Sequence, residues 1–218
     1  VAKTIGTSTH NDGGSLAKYR EMVEIMDQNV AKVLAALERT GKADNTIVVF
    51  TSDNGGERFS ETWPFVGQKG EVLEGGIRVP LLMQWPVRIA AGAVSDQVMA
   101  SMDFLPTLLA MAGGNVAKAG TFDGMDLSRQ MTGSAVAVER TLFWRFNANT
   151  QAAVRQGDWK YVKLGGKEHL FNLAEDARER AERALAEPQR LAAMRKLWDQ
   201  WNAQMLPYRV DGYSESLK

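Results

Sequence analysis

The stretch TIVVFTSDNGG, residues 46–56, decides how the rest of the chain is read. β-Branched and aromatic residues run from Thr46 to Thr51 and stop at Asp53, Asn54 and two glycines. A run that apolar predicts a strand buried on both faces, as in a mostly parallel sheet. Open α/β sheets bind ligands just beyond the carboxyl ends of their strands, which is where Asp53 and Asn54 fall. Both side chains offer hard oxygen to Ca²⁺ or Mg²⁺. An Asx-type turn would use the same four residues, with Gly55 and Gly56 letting the backbone bend sharply and leaving room for a substrate. The pattern by itself supports either reading.

Upstream, Tyr19, Met22, Val23, Met26, Val30, Val33, Leu34 and Leu37 recur at three-to-four spacing. This predicts a long amphipathic helix with one face on a core, Ser15 as N-cap and Gly41 just past its end. Helix, short loop and buried strand together are the grammar of an α/β fold. Downstream, a loop of roughly 25 residues from Asp53 to Val79 is of the length that usually carries function. A second strand, VPLLMQW, ends at Pro86, and SMDFLPTLLAMAGG predicts a helix with Asp103 near its N-cap and Gly113-Gly114 closing it.

The pattern changes near residue 140. RTLFWRF, QAAVRQ, DWKYVKLG and EHLFNL are short strand-like runs divided by polar or glycine turns, which predicts a small antiparallel sheet. From Ala174 the chain reads as helical, interrupted at Pro188, with Leu191, Met194, Leu197, Trp198, Trp201 and Met205 as the last apolar stripe. Trp144, Trp159, Trp198 and Trp201 are expected to fill the junction between sheet and helix. Two domains are therefore expected, 1–139 carrying the α/β part and 140–218 a small α+β subdomain.

Composition narrows the function classes. Lysine plus arginine equal aspartate plus glutamate at 26 each, so the chain has no electrostatic footprint for nucleic acid or an anionic membrane. No uninterrupted apolar run approaches the ~20 residues of a membrane span. Cysteine is absent, which removes disulfides, thiolate metal sites and a cysteine nucleophile. With only His10 and His169 available, any metal must be held by oxygen. The opening VAKTIGTSTHNDGG has neither an initiator Met nor an apolar leader, and reads as a cut within a longer protein. Cytoplasm and periplasm are both compatible with these features.

A second chemical candidate lies in FVGQKGEVLEGGIRVP. Lys69, between Gly67 and Gly70, has an uncrowded stem. It is either a solvated loop residue or a point charge reaching an anionic oxygen in a cleft. Glu74 and Arg78, four residues apart, are expected to pair and brace the loop. His10 in its polar loop is not expected to act as a base, and His169 reads as structural.

Taken in order, DNTIVVFTSDNGG, GQKGEVLEGGIRVPLLMQWP, SMDFLPTLLAMAGG, FDGMDL and AVRQGDWKYVKL…HLFNL resemble the C-terminal half of a type I, formylglycine-dependent sulfatase of the alkaline phosphatase superfamily. The likeness runs from about Tyr19 to Leu173. It implies the C-terminal part of a mostly parallel sheet with flanking helices, followed by a small antiparallel sheet with a packed helix. It implies that Asp53 and Asn54 are metal ligands, for Ca²⁺ or Mg²⁺, and that Lys69 contacts a sulfate oxygen. It further implies sulfuric ester hydrolysis, with a sulfate ester as substrate.

The formylglycine precursor of that family lies in a Cys/Ser-x-Pro-x-Arg motif, and this chain has none; QWPVR puts Gln84 where the nucleophile would stand. Formylglycine is therefore expected only in a missing N-terminal half, which becomes a required partner. With two or three oxygens from this chain, against the six to eight that calcium prefers, metal binding is expected to be weak. Parallel strands without neighbours would leave edges that pair with another copy, giving a homo-oligomer. A phosphonate or phosphodiester hydrolase of the same superfamily and a non-catalytic binding or assembly module are the competing readings.

Overall fold

The computed structural model describes residues 14–146 and 150–208. Their contacts fall into two compact units, one from Val1–Asn29, Thr51–Leu81 and Thr141–Lys218, the other from Val30–Phe50 and Leu82–Arg140. His10 lies outside the described residues.

Helix α1, Leu16–Arg39, begins and ends as expected. Ser15 Oγ accepts the Lys18 amide at 3.2 Å, the N-cap bond. Gly41 has φ +64°; its amide reaches Glu38 O at 3.0 Å and the Lys42 amide reaches Leu37 O at 2.9 Å, so the end is a Schellman motif. The expected packing of its apolar face is only partial: Tyr19, Val30, Leu34 and Leu37 are half-buried, but no residue of α1 is fully buried and Met22 and Val33 are each 63% exposed. Periodicity marks a face able to bury itself, and the described residues cover only part of it.

A 3₁₀ turn at Ala43–Asn45 leads into β1, Val48–Thr51. Segment 53–79 contains a single short helix, α2, Glu74–Ile77, before β2, Leu81–Gln84. Strands β1 and β2 make a two-stranded sheet. Burial of the first strand on both faces is thus also corrected: Val48 and Val49 are half-buried, while Phe50 and Thr51 are exposed. Apolar composition records what a strand would bury among neighbours on both sides, and among the described residues β1 pairs with β2 alone.

Trp85 is buried, and its indole N–H bonds Asn45 Oδ1 at 3.0 Å. Helix α3, Phe104–Met111, follows a 3₁₀ turn at Ser101–Asp103, and short helical turns α4, Val116–Ala119, and α5, Ser128–Met131, come after it. Asp103 is fully buried and organises this region. It accepts the amides of Ala100 at 2.7 Å and Met125 at 2.9 Å, and it pairs with Arg140.

In the first unit, β3, Thr141–Phe146, β4, Gln151–Gln156, β5, Trp159–Leu164, and β6, Lys167–Asn172, form the expected antiparallel meander, in the order β3-β4-β5-β6. Gly165 and Gly166, both at positive φ, close the β5–β6 hairpin in the type I′ manner that its two-residue loop requires. Strand alternation sorts the core into two faces. Ala152, Val154, Tyr161 and Leu170 pack with Met194 and Trp198 of helix α6, Pro188–Asn202. Ala153, Val162, Phe171 and Leu173 pack instead with Val72 from the long loop.

Two expectations change here. Residues 174–187 are turns rather than helix, gathered by the Asp176 carboxylate, which accepts the amides of Arg178, Arg180 and Ala181. Pro188 starts α6 at its first turn, where a missing N–H costs nothing, rather than interrupting a longer helix. Trp144 packs on the loop-covered face, and its carbonyl accepts the Trp198 indole N–H of α6 at 3.0 Å. No helix among the described residues is long and apolar enough to cross a membrane.

Candidate active site

The chain leaves β1 at Thr51 and doubles back on itself through backbone contacts. The Gly55 amide donates to Gly76 O at 2.8 Å, the Lys69 amide to Gly56 O at 2.8 Å, and the Gly75 amide to Val66 O at 2.7 Å. Gly55 and Gly75 meet so closely that a Cβ on Gly55 would lie 1.8 Å from the Gly75 carbonyl oxygen. The first glycine of DNGG thus answers to a close approach of two backbone segments more than to a sharp bend.

These stitches bring Asp53, Asn54 and Lys69 to the wall of one cleft of about 760 Å³, together with Glu57, Trp63 and Arg78. Asp53 is exposed and Asn54 half-buried. The Lys69 side chain is 54% exposed, and its Nζ stands 3.9 Å from Glu57 Oε2, a loose pair worth little in solvent. An anion entering the cleft can therefore compete for the ammonium. His169 is elsewhere, on β6, with its ring stacked on Phe171 at 6.1 Å between centroids.

The donor chemistry at the strand end suits a hard divalent cation: one carboxylate and one carboxamide oxygen, side by side in sequence. The number of donors does not complete a site. Among the described residues, no group of three or more His, Cys, Asp or Glu gathers as a metal cage.

The loop carrying Lys69 is anchored from behind by residues whose role the sequence did not reveal. Glu74 is buried, and its Oε1 meets Lys160 Nζ of β5 at 2.8 Å; Lys160 Nζ also lies 2.8 Å from Glu179 Oε1. The other Glu179 oxygen accepts the Glu74 amide at 2.6 Å. Lys160 has no exposed surface. Burial holds the Glu179 carboxyl above its ordinary range even though Lys160 and the Glu74 amide pull it down. The expected pairing of Glu74 with Arg78 is present at 3.6 Å, as an outer contact of the same cluster.

Gln151 of β4 grips the loop at a second point, accepting the Val72 amide at 3.1 Å and donating to Gly70 O at 3.0 Å. Lys69 therefore sits one residue before a backbone segment tied to the sheet. Strand alternation was the available clue to Lys160, since it shares a face with the buried Val162.

Comparison with known proteins bears on this arrangement. The family model described as Sulfatase matches residues 2–114, and one described as N-sulphoglucosamine sulphohydrolase, C-terminal, matches residues 67–205. The N-acetylgalactosamine-6-sulfatase of Rattus norvegicus is 36% identical over 149 residues, covering 66% of this chain and 28% of that protein. The steryl-sulfatase of Mus musculus is 38% identical over 145 residues, covering 62% of this chain and 23% of that protein. Among solved structures, Ps i-CgsB in complex with k-i-k-neocarrahexaose superposes with a TM-score of 0.81 at 27% identity, over 100% of this chain and 50% of that one. The chain thus spans about a quarter of the length of these curated relatives.

Proposed function

Since the chain belongs to the sulfatase family, we propose that it is the C-terminal portion of a sulfuric ester hydrolase and supplies one wall of the active site. The observation that carries the reading is the shared cleft: Asp53, Asn54 and Lys69 line it together, on loops stitched by backbone hydrogen bonds. Asp53 and Asn54 are the residues that hold a divalent cation, Ca²⁺ or Mg²⁺, with further ligands coming from outside this chain. When bound, such an ion supplies positive charge to the non-bridging oxygens of the ester. Lys69 contributes a second positive contact, as a point charge on a sulfate oxygen, in a position the Gln151 and Glu74 anchors keep fixed. The nucleophile is not among this chain's residues, because it has neither cysteine nor a Ser-x-Pro-x-Arg segment.

Two measurements test the proposal. The purified chain should not hydrolyse an aryl sulfate, with or without added calcium, and robust turnover would mean that the nucleophile has been misplaced. In a full-length gene product carrying the formylglycine motif, Lys69→Ala should lower kcat/KM for aryl sulfate by about 10²–10³, the loss expected when one oxyanion contact is removed. Unchanged kcat/KM would remove Lys69 from the reaction. A parallel assay with an aryl phosphonate separates the sulfatase from its phosphonate-hydrolysing alternative, as both anions are tetrahedral.

A further inference from the structure

We propose that Lys160, on β5, is a positioning residue for the hydrolysis: through Glu74 and Glu179 it fixes the turn that presents Lys69 to the cleft, an inference that rests on the sulfate-ester reading above. Lys160 has no exposed surface, and its Nζ lies 2.8 Å from both Glu74 Oε1 and Glu179 Oε1. None of the three lines the cleft, so their part in the reaction is played through another residue. Stability does not account for the cluster. Two carboxylates and one ammonium out of water carry a large desolvation cost, and apolar side chains of the same volume commonly serve a fold as well or better. Glu74 Oε2, with Arg78 at 3.6 Å, accepts no hydrogen bond among the described residues. What directional charge pairs supply, and apolar contacts do not, is one fixed geometry.

That geometry belongs to Lys69. Segment 53–79 has one helix of four residues and borrows the rest of its rigidity. Lys69 is the second residue of a β-turn, Gln68–Glu71, closed by the Glu71 amide on Gln68 O at 3.0 Å. Gly70 follows at φ +89°, where a type II turn needs its glycine. Such a turn moves as one piece, so its ammonium goes where the flanking backbone puts it. On the upstream side, Val66 O accepts the Gly75 amide at 2.7 Å. On the downstream side, the Glu74 amide donates to Glu179 Oε2 at 2.6 Å while the Glu74 side chain meets Lys160. Both flanks of the turn therefore converge on Glu74 and Gly75, the point that Lys160 and Glu179 hold.

The antiparallel meander supplies this hold from two paired strands. Lys160 of β5 lies opposite Arg155 of β4, and Gln151 at the start of β4 takes the loop at Gly70 O and the Val72 amide. Segment 51–81 and these strands belong to the same compact unit, so the sheet and the turn form one body. An ammonium fixed before the ester arrives meets the developing charge without reorganising. On a loop with few buried contacts of its own it would open locally at little cost, and a displacement of about 1 Å can lower a rate by about 10².

The test is a double-mutant cycle in a full-length gene product carrying the formylglycine motif. Lys160→Met alone should lower kcat/KM for aryl sulfate by about 10–10². Placed on Lys69→Ala, the same substitution should change the remaining kcat/KM by less than about twofold, because the residue it positions is gone. Structural damage unrelated to Lys69 would instead multiply the two losses, and that result overturns the proposal. Amide exchange of the purified chain reads the anchoring without activity. Lys160→Met should speed exchange at the Lys69 and Gly75 amides while the β3–β4 ladder keeps the parent's rates; unchanged exchange at both amides overturns the anchor. Should Lys160→Met not fold, Glu179→Gln, which leaves an acceptor for the Glu74 amide, is carried through the same cycle and read by the same outcomes. A silent Lys69→Ala removes the sulfate contact and this role of Lys160 together. A costly Lys69→Ala with a fully multiplied Lys160→Met removes the role of Lys160 alone.

Discussion

Two carboxylates and one ammonium share a buried site behind the cleft, and their balance has a pH signature. Glu74 and Glu179 both face Lys160, with Arg78 touching only Glu74 from the solvent side. Burial raises the Glu179 pKa above the ordinary 4.5, overriding the attraction of Lys160. A carboxyl raised on folding binds its proton more tightly in the native state than in the unfolded one. Its contribution to stability is therefore complete below the unfolded pKa and is lost as pH climbs through the folded pKa. Relative to Glu179→Gln, the parent chain should lose unfolding free energy from about pH 4.5 upward, then level off once Glu179 is ionised in both states. Denaturant melts at a series of pH values measure this, and the opposite slope would mean that Lys160 outweighs burial. Part of this cluster was legible in the sequence, since Glu74 and Arg78 are one helical turn apart. Lys160 and Glu179 lie 86 and 105 residues from Glu74, and no local pattern links them.

At the scale of the element, the long loop behaves as a built part. Its two crossing segments touch at Gly55 and Gly75, with no space for a side chain. Gly55→Ala should destabilise the chain by about 1–3 kcal/mol, the cost of overpacking a close contact. It should also speed hydrogen exchange at the Lys69 amide, whose bond to Gly56 O depends on the same crossing. A melting curve and an exchange profile indistinguishable from the parent would show the crossing to be loose. Elements governed by local rules were legible: the Ser15 cap, the Gly41 and Gly113 ends, and four strands marked by alternation and glycine turns. Burial was less so. The faces of α1 and β1 are apolar in sequence yet only partly covered in the structure, because the pattern states a preference that only a partner surface can satisfy. Asp176 explains the misreading of 174–187, since a carboxylate taking three backbone amides stabilises turns in a segment of good helix formers. In the candidate site, Asp53, Asn54 and Lys69 were visible as residue types at a strand end and between glycines, while Trp63 read only as one more apolar residue of the loop.

The whole molecule carries more apolar surface than its charge can keep apart. Single exposed hydrophobes are ordinary, but α1 presents a stripe along 24 residues with none buried. Leu82 of β2 and Leu105 of α3 are each 63% exposed as well. Removing such surface from water is worth roughly 25 cal/mol per Å². The formal charge at pH 7 is +0, so no net repulsion opposes contact between copies. The purified chain should therefore self-associate, its sedimentation coefficient rising with concentration across the micromolar range. Because burial of apolar surface drives the contact, added salt should leave the association unchanged or strengthen it, whereas ion pairing would weaken with salt. Met22→Gln with Val33→Gln, both at exposed helix positions, should move the distribution toward monomer while circular dichroism holds its helical signal. A single slow-sedimenting species at every concentration, in the parent chain, would show that these faces are tolerated in water and that self-association is not how this chain hides them.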